Sequence, residues 1–488
     1  MQVPAYQSQR VFQHVREGIL RGVFPGGGRL PPSRVLAGEL GVARQTVVVA
    51  YERLAAEGYV RARVGAGTFV TADLPDARPD PVPQTTLARP RATALSRRGA
   101  AVSAVPTSAV TSHSLPLLAP GIPAAELFPS RAWAACAAAA CRAQPGAGYP
   151  DPQGMPELRA AIAEHLAVTR GLVADPARIL ITAGTQQALR IVAELLTDPG
   201  DAVWVEEPGY IAGRGAMLAA GAVPIPVPSD DAGLDVAAGR QAAPHARLAL
   251  LAPSHATPLG GAMPVARRLA MLEWAAAAES WVIEDDCDAE FRWAGKPLPP
   301  LASLEGSDRV VYCGTFSKTL SPSLRLGFAV FPAALIGPAT RLRTLWDRGP
   351  GEMVQATLAE FMRRGLLVPH IRRMRTEYAR RRDAVVAGLA AHCPALGVLP
   401  APGGLHMAAL LPEGADEAQV AAAAHRLGLG VAPGAAYRLG TAICASLVMG
   451  FAATPTPLAS HAARALAKAI REGTSVAASR QNLAVIAS

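Results

Sequence analysis

The chain has 488 residues, half of them hydrophobic and 17% charged, so it is globular and long enough for two or three domains. It has no apolar run near the ~18 residues of a membrane span. Its opening residues (MQVPAYQSQR) lack the apolar core of a secretory signal, and six scattered cysteines exclude a disulfide scaffold and a CxxC zinc site. No metal is expected, and a cytoplasmic location is. The net charge of +9 allows an anionic partner without naming one. Only three of the 47 basic residues are lysine: Lys296, Lys318 and Lys468. Each is a candidate for chemistry that arginine, which keeps its proton, cannot do.

Residues 6–22 read as an amphipathic helix, with Val11, Phe12, Val15, Ile19 and Leu20 on one face. The Gly- and Pro-rich stretch 22–28 ends it. A second helix fits Ser33–Leu40, with Ser33 as N-cap after Pro31-Pro32, and a third fits Arg44–Glu57 after the Gly41 turn. Tyr59–Val64 alternates like a strand, Gly65-Ala66-Gly67 turns, and Thr68–Val70 returns. This order is a winged helix-turn-helix over residues 1–73. A helix reads a major groove with its N-terminal residues, so Arg44, Gln45 and Thr46 are placed at base edges. Arg34 opens the second helix and Arg63 lies on the wing, whose Gly65 and Gly67 allow close approach to a backbone.

Residues 74–114 hold Pro, Ala, Ser, Thr and Arg without periodicity and read as a flexible linker. From Leu115 short apolar runs alternate with helices. Strands are predicted at 179–182, 202–206, 248–251, 281–284, 310–313 and 327–330, and helices at 156–170, 186–196, 266–280 and 370–391. Runs buried on both faces and separated by helices predict a mostly parallel sheet in an α/β domain spanning 115–475. A smaller α+β subdomain covers about 365–475, and 476–488 is a tail.

Lys318 follows a predicted strand in GTFSKTLSPSLRLG. A Schiff base needs an amine that can lose its proton. Pyridoxal 5'-phosphate also needs a phosphate cradle, for which Ser317, Arg325 and the strand-to-helix turn Gly184-Thr185-Gln186 are candidates. An acid must face the pyridine nitrogen. Glu284-Asp285-Asp286 ends the strand 281–283, where ligands gather in open α/β sheets. All three acids point to ligand binding there, against the alternative of a helix N-cap cluster. Tyr210, in EEPGY, is placed to stack on the ring.

Residues ~6–72 (GGGRLPPSRVLAGELGVARQTVVVAYERLAAEGYVRARVGAGTFV) resemble the GntR family's DNA-binding domain. Ala43 stands where that family has Ser, at the cost of one hydroxyl contact to DNA. Seven further motifs resemble, in order, a fold type I aminotransferase: YPDPQGMPELRAAIAEHLAVTRG, ITAGTQQAL, PGDAVWVEEPGY, PSHATPLGGAMPVARRLAMLEWA, WVIEDDCDAEFRW, GTFSKTLSPSLRLGF and HIRRMRTEYARRR. Together they resemble the MocR family, which fuses the two.

The resemblance implies a homodimeric transcription regulator that binds promoter DNA. It would hold pyridoxal 5'-phosphate on Lys318, the catalytic-type lysine, with Asp285 at the ring nitrogen. It would sense that cofactor, an amine or an amino acid. Cys287 replaces the family's Tyr, so the phenol for the cofactor's 3′-oxygen is absent. The SHQ–PTG motif survives only as Ser254-His255-Ala256-Thr257-Pro258-Leu259-Gly260, leaving His255 as the cofactor-side residue. No Arg stands in 445–452, so Arg214 and Arg438 are the candidates for an effector carboxylate. The alternative function is an active pyridoxal-phosphate aminotransferase that carries an N-terminal DNA-binding domain. A third reading keeps the large domain only for dimerisation.

Overall fold

The computed structural model describes residues 4–63, 65–72, 74, 95–107, 115–143, 148–293, 298–400, 402–440 and 444–486, with side chains from Gln7 to Thr474. Lys296 and most of the expected linker lie outside them. The described chain divides into two compact units, one up to Leu74 and one from Leu95.

The first unit is α1 (Pro4–Leu20), α2 (Ser33–Leu40), α3 (Arg44–Ala56), β1 (Val60–Arg63) and β2 (Gly67–Val70). Val11, Phe12, Val15 and Ile19 of α1 are buried with Leu36 of α2 and Val47, Ala50, Tyr51 and Leu54 of α3. The apolar positions recur at helical spacing, so a single stripe on each helix closes this core. Gly41 adopts the left-handed conformation that ends α2 and bonds back to the Ala37 carbonyl. The N-cap of α2 is Pro32, not Ser33, whose hydroxyl instead meets Arg44 Nε at 3.4 Å. The wing pairs antiparallel with Val60 opposite Val70. The glycine-rich stretch also contributes to the wing, since Leu30 N–H donates to Thr68 O and Gly27 N–H to Val70 O.

The second unit opens with α4 (Arg97–Ser103), capped by the Ser96 hydroxyl. This corrects the linker reading over residues 96–104. The next residues lie beside α8, where a Cβ on Gly215 would come 3.4 Å from Val105 Cγ1. Then come α5 (Ser130–Arg142), α6 (Pro156–Arg170), β3 (Ile179–Thr182), α7 (Thr185–Leu196), β4 (Ala202–Glu207), α8 (Ile211–Ala220), β5 (Val223–Asp230), β6 (Gly233–Leu234) and α9 (Val236–Ala242). After them follow β7 (Leu248–Leu251), α10 (Val265–Ala277), β8 (Trp281–Asp285), β9 (Val310–Thr315), β10 (Gly327–Val330), α11 (Ala333–Trp346) and α12 (Glu352–Arg363). The eight strands order as β3-β10-β9-β8-β7-β4-β5-β6. β9, β8, β7, β4 and β5 run parallel, and β10 is antiparallel to both its neighbours.

Alternate residues of each strand face opposite layers. Val205, Leu250, Ile283, Val311 and Ala329 pack with α7, α8 and α11. Trp204, Ala249, Leu251 and Val282 pack with α9 and α10. β5 holds Pro224, Pro226 and Pro228, which mask it from a propensity reading. Val223 donates to the Asp201 carbonyl beside β4. The three prolines have the opposite parity, so their missing N–H groups fall on the far side, where β6 pairs only at Ser229 and Asp230.

The small subdomain comprises α13 (Leu367–His392), β11 (Gly397–Val398), β12 (His406–Leu410), α14 (Glu417–Arg426), β13 (Ala432–Pro433), β14 (Ser446–Gly450) and α15 (Ala459–Ile486). Its sheet is antiparallel, ordered β11-β12-β14-β13. The last helix runs to Ile486, which corrects the expected tail from 476. Among the described residues no helix is long and apolar enough to cross a membrane.

Ala43 is the N-cap of α3 and offers no side-chain acceptor to the first amides. A serine hydroxyl there contributes about 1 kcal/mol. Ala43→Ser should therefore slow hydrogen exchange of the α3 amides in the full chain by about fivefold. Unchanged exchange would contradict the missing cap.

Candidate functional site

Parity along β8 separates the three acids. Glu284 and Asp286 face one layer and are explained by packing. The Glu284 carboxylate accepts from the amides of Leu301 and Ala302 at 2.9 Å, with Arg268 3.7 Å away. Asp286 takes Arg170 Nε at 2.8 Å and the Tyr312 hydroxyl at 2.5 Å. Only Asp285 turns to the layer of α7. The expectation that all three acids point to a ligand is corrected to one.

Asp285 is buried, and that burial pushes its carboxyl up to about 7, although a hydrogen bond from Cys287 and the charge of Lys318 pull the other way. Cys287 Sγ donates to Asp285 Oδ1 at 2.5 Å and lies 3.5 Å from Thr185 Oγ1. Burial, more than the adjacent carboxylate, raises this thiol well above its ordinary value. Lys318 follows β9, and its Nζ donates to the Gly121 carbonyl at 2.6 Å. Its charge acts on Asp285, Cys287, Asp288 and His406, so these groups share one electrostatic neighbourhood.

The strand-to-helix turn after β3 shapes the next part. Gly184 has φ +89°, and a Cβ there would lie 3.2 Å from Arg325 Nη2. The N-terminus of α7 has no side-chain cap, so its leading amides have no side-chain acceptor. Arg325 itself adopts a left-handed φ of +50° and donates to the Ala183 carbonyl at 2.5 Å. Ser317 Oγ accepts from Thr315 Oγ1 at 3.0 Å on the same side. Gln186 donates to the Ala212 carbonyl and leaves its buried Oε1 without a partner. The uncapped amides of α7 and the Arg325 guanidinium thus meet where a side chain at 184 would otherwise sit.

Tyr210 is the N-cap of α8, at a cavity shared with Glu206, Asp285, Arg214 and Tyr437. Glu206 was missed in the sequence because EEPGY drew attention to its tyrosine. Its buried Oε1 has no partner, and Oε2 accepts from Ala252 N–H at 3.2 Å. Burial pushes this carboxyl up to about 8.

The two arginines predicted for a carboxylate are engaged elsewhere. Buried Arg214 donates to the carbonyls of Arg438 and Ala436 at 3.0 and 3.3 Å, and Arg438 donates to the Cys444 carbonyl at 3.2 Å. His255 is buried against Asp288 and His406 and is not in the group around Thr185.

In the first unit Arg34, Arg44, Gln45 and Arg63 are exposed and Thr46 is half-buried. Gly65 and Gly67 have φ of +75° and +112°. Arg29, not singled out in the sequence, lies under the wing, where a Cβ on Gly67 would approach its Nε to 2.7 Å.

Residues 7–70 match the model of the bacterial regulatory proteins of the gntR family, and residues 121–466 match aminotransferase class I and II. The chain is 39% identical to the probable rhizopine catabolism regulatory protein MocR of Rhizobium meliloti, over 78% of this chain and 76% of that one. It is 34% identical to the pyridoxine biosynthesis transcriptional regulator PdxR of Corynebacterium glutamicum, over 90% of each chain. The chain belongs to the MocR-type family of transcriptional regulators. As in that family, a GntR helix-turn-helix precedes an aminotransferase-like domain. Among solved structures, the multiple substrate aminotransferase of Thermococcus profundus covers 78% of this MocR-type chain and 98% of its own, at 27% identity and a TM-score of 0.70. An archaeal alanine:glyoxylate aminotransferase covers 75% and 92%, at 27% identity and a TM-score of 0.69.

Glu206 sets a pH dependence. Its native pKa lies above the ordinary carboxyl value, so the folded state holds the proton more tightly than the unfolded one. Stability from this group is full at low pH and is lost as pH rises from about 4.5 through about 8. Glu206→Gln should therefore gain thermal midpoint relative to the parent between about pH 5 and about pH 8. A difference that stays constant across that range would contradict the assignment.

Proposed function

We propose that this regulator holds pyridoxal 5'-phosphate in the site around Lys318 and reports the cofactor, or an amine or amino acid that meets it, to promoter DNA. The observation that carries this reading is the convergence of Lys318, Asp285 and the uncapped α7 turn beside Arg325. Those residues fit the group. The α7 amides with Thr185, Gln186, Ser317 and Arg325 would take its phosphate. Asp285 would face its pyridine nitrogen and Tyr210 its ring. Lys318 Nζ, now held by the Gly121 carbonyl, would bind its aldehyde.

When bound, pyridoxal phosphate supplies a carbonyl carbon open to amines and an electron-withdrawing ring. Asp285 would hold a proton at the ring nitrogen. As a carboxylate it would accept that proton's hydrogen bond, and the hydrogen bond from Cys287 and the charge of Lys318 favour its ionised form against burial. Cys287 is bonded to Asp285 and offers no phenol to the opposite side of the ring. Arg438 is the more available guanidinium for an effector carboxylate, because Arg214 is buried and commits both terminal nitrogens to carbonyls. Arg34, Arg44, Gln45, Thr46 and Arg63 would contact DNA, with Gly65 and Gly67 bringing the wing backbone near phosphates. The protein would act as a cytoplasmic homodimer.

Two variants separate the two halves. Arg44→Ala should lose specific operator binding in a gel shift yet keep the visible absorbance of added pyridoxal phosphate. Lys318→Ala should lose that absorbance, and borohydride should trap no adduct, while operator binding persists. An adduct retained in Lys318→Ala would assign another lysine, and unchanged operator affinity in Arg44→Ala would remove α3 from the reading.

A further inference from the structure

Besides Lys318, the large unit holds a second cluster of chemically capable groups. His255 comes from the loop after β7, Asp288 from the segment after β8, and His406 from β12 of the small subdomain. Their ligand atoms all lie within 4.8 Å of one another. His255 and His406 are 5% and 6% exposed.

His255 and Asp288 face each other as an ion pair, but the pairing leaves ring nitrogens without an aligned hydrogen bond. His255 Nδ1 is 3.3 Å from Asp288 Oδ2. Even so, neither ring nitrogen of His255 has a hydrogen-bond partner, and neither has His406 Nε2. His406 keeps one backbone hydrogen bond, at Pro258, so three of the four ring nitrogens stay open, and native structures rarely leave buried polar atoms so. The 3.3 Å separation matches the edge of a tetrahedron built on metal–ligand bonds of about 2.0–2.1 Å. The pocket is closely built around the ring. A Cβ on Gly404, which has φ +73°, would fall 2.0 Å from His255 Cε1, and one on Gly260 would lie 3.4 Å from its Nε2.

We propose that His255, Asp288 and His406 bind one divalent first-row metal ion. Two imidazole nitrogens and a carboxylate oxygen suit Zn²⁺, with the fourth position left to water or another ligand. The ligands come from both sides of the cleft between the large sheet and the small subdomain. The ion therefore clips β12 to the segment that follows Asp285. Because the three residues come from separate segments, no spacing motif announces a metal site.

The test uses the full chain, freed of any tag, stripped with a chelator and dialysed against ZnCl₂. The expected result is one Zn²⁺ per chain by elemental analysis, with X-ray absorption showing two imidazoles and oxygen. Zn²⁺ should raise the thermal midpoint in a concentration-dependent way. His406→Gln and Asp288→Asn should each weaken uptake by about tenfold or more. No stoichiometric uptake by the parent protein overturns the proposal whatever the variants do. Uptake through sulfur, or uptake undiminished in both variants, overturns it as well. None of these readouts depends on Lys318 or on DNA.

Discussion

Asp285 ends a strand that is buried from Val282 onward, its carboxyl takes a hydrogen bond from the Cys287 thiol, and the candidate site depends on that buried carboxyl. A buried carboxyl stays ionised only if something nearby pays the cost of removing it from water. Here Lys318, Cys287 and the α7 turn are the groups within reach. The parity of β8 makes this possible. It sends Glu284 and Asp286 to the opposite layer, where amides and Arg268 meet Glu284, and Arg170 and Tyr312 meet one oxygen of Asp286. One acid of three is left facing the cleft.

The same economy shows in the arginines. Arg214 and Arg438 hold main-chain carbonyls in and beside the turn before β14, and Arg268 ties α10 to the carbonyls of Met263, Pro253 and Pro299. In a chain with so few lysines, arginine serves as the structural donor because its forked guanidinium satisfies several carbonyls at once. Lys318 is the exception, a compact amine beside a glycine whose Cβ would come within 3.1 Å of it.

Much of this was legible in the sequence. The central strands are short apolar runs buried on both faces, and their helices carry clear stripes. Strand ends and helices therefore matched within a few residues. The winged helix was legible because turns at Gly41 and Gly65–Gly67 punctuate it. β5 was hidden by three prolines that are harmless only because all lie on one side of the strand. α4 was hidden by the small residues around it. Within the site, Lys318, Asp285, Thr185 and Arg325 were legible from motif and chemistry. The commitment of Arg214 to carbonyls, the unpartnered Glu206 and the grouping of His255 with Asp288 and His406 were not. Each depends on contacts between segments far apart in the chain.

In the proposed regulator, occupancy near Lys318 would be felt by the winged helix. By linkage, a ligand that alters operator affinity must have its own affinity altered by the operator by the same factor. The direct measurement is pyridoxal phosphate affinity of the full-length protein, by absorbance titration, with and without a saturating operator fragment. Operator affinity would be measured in parallel with and without the cofactor. Two equal factors, about fivefold or more, are expected. A cofactor affinity indifferent to DNA, together with an operator affinity indifferent to the cofactor, would contradict it.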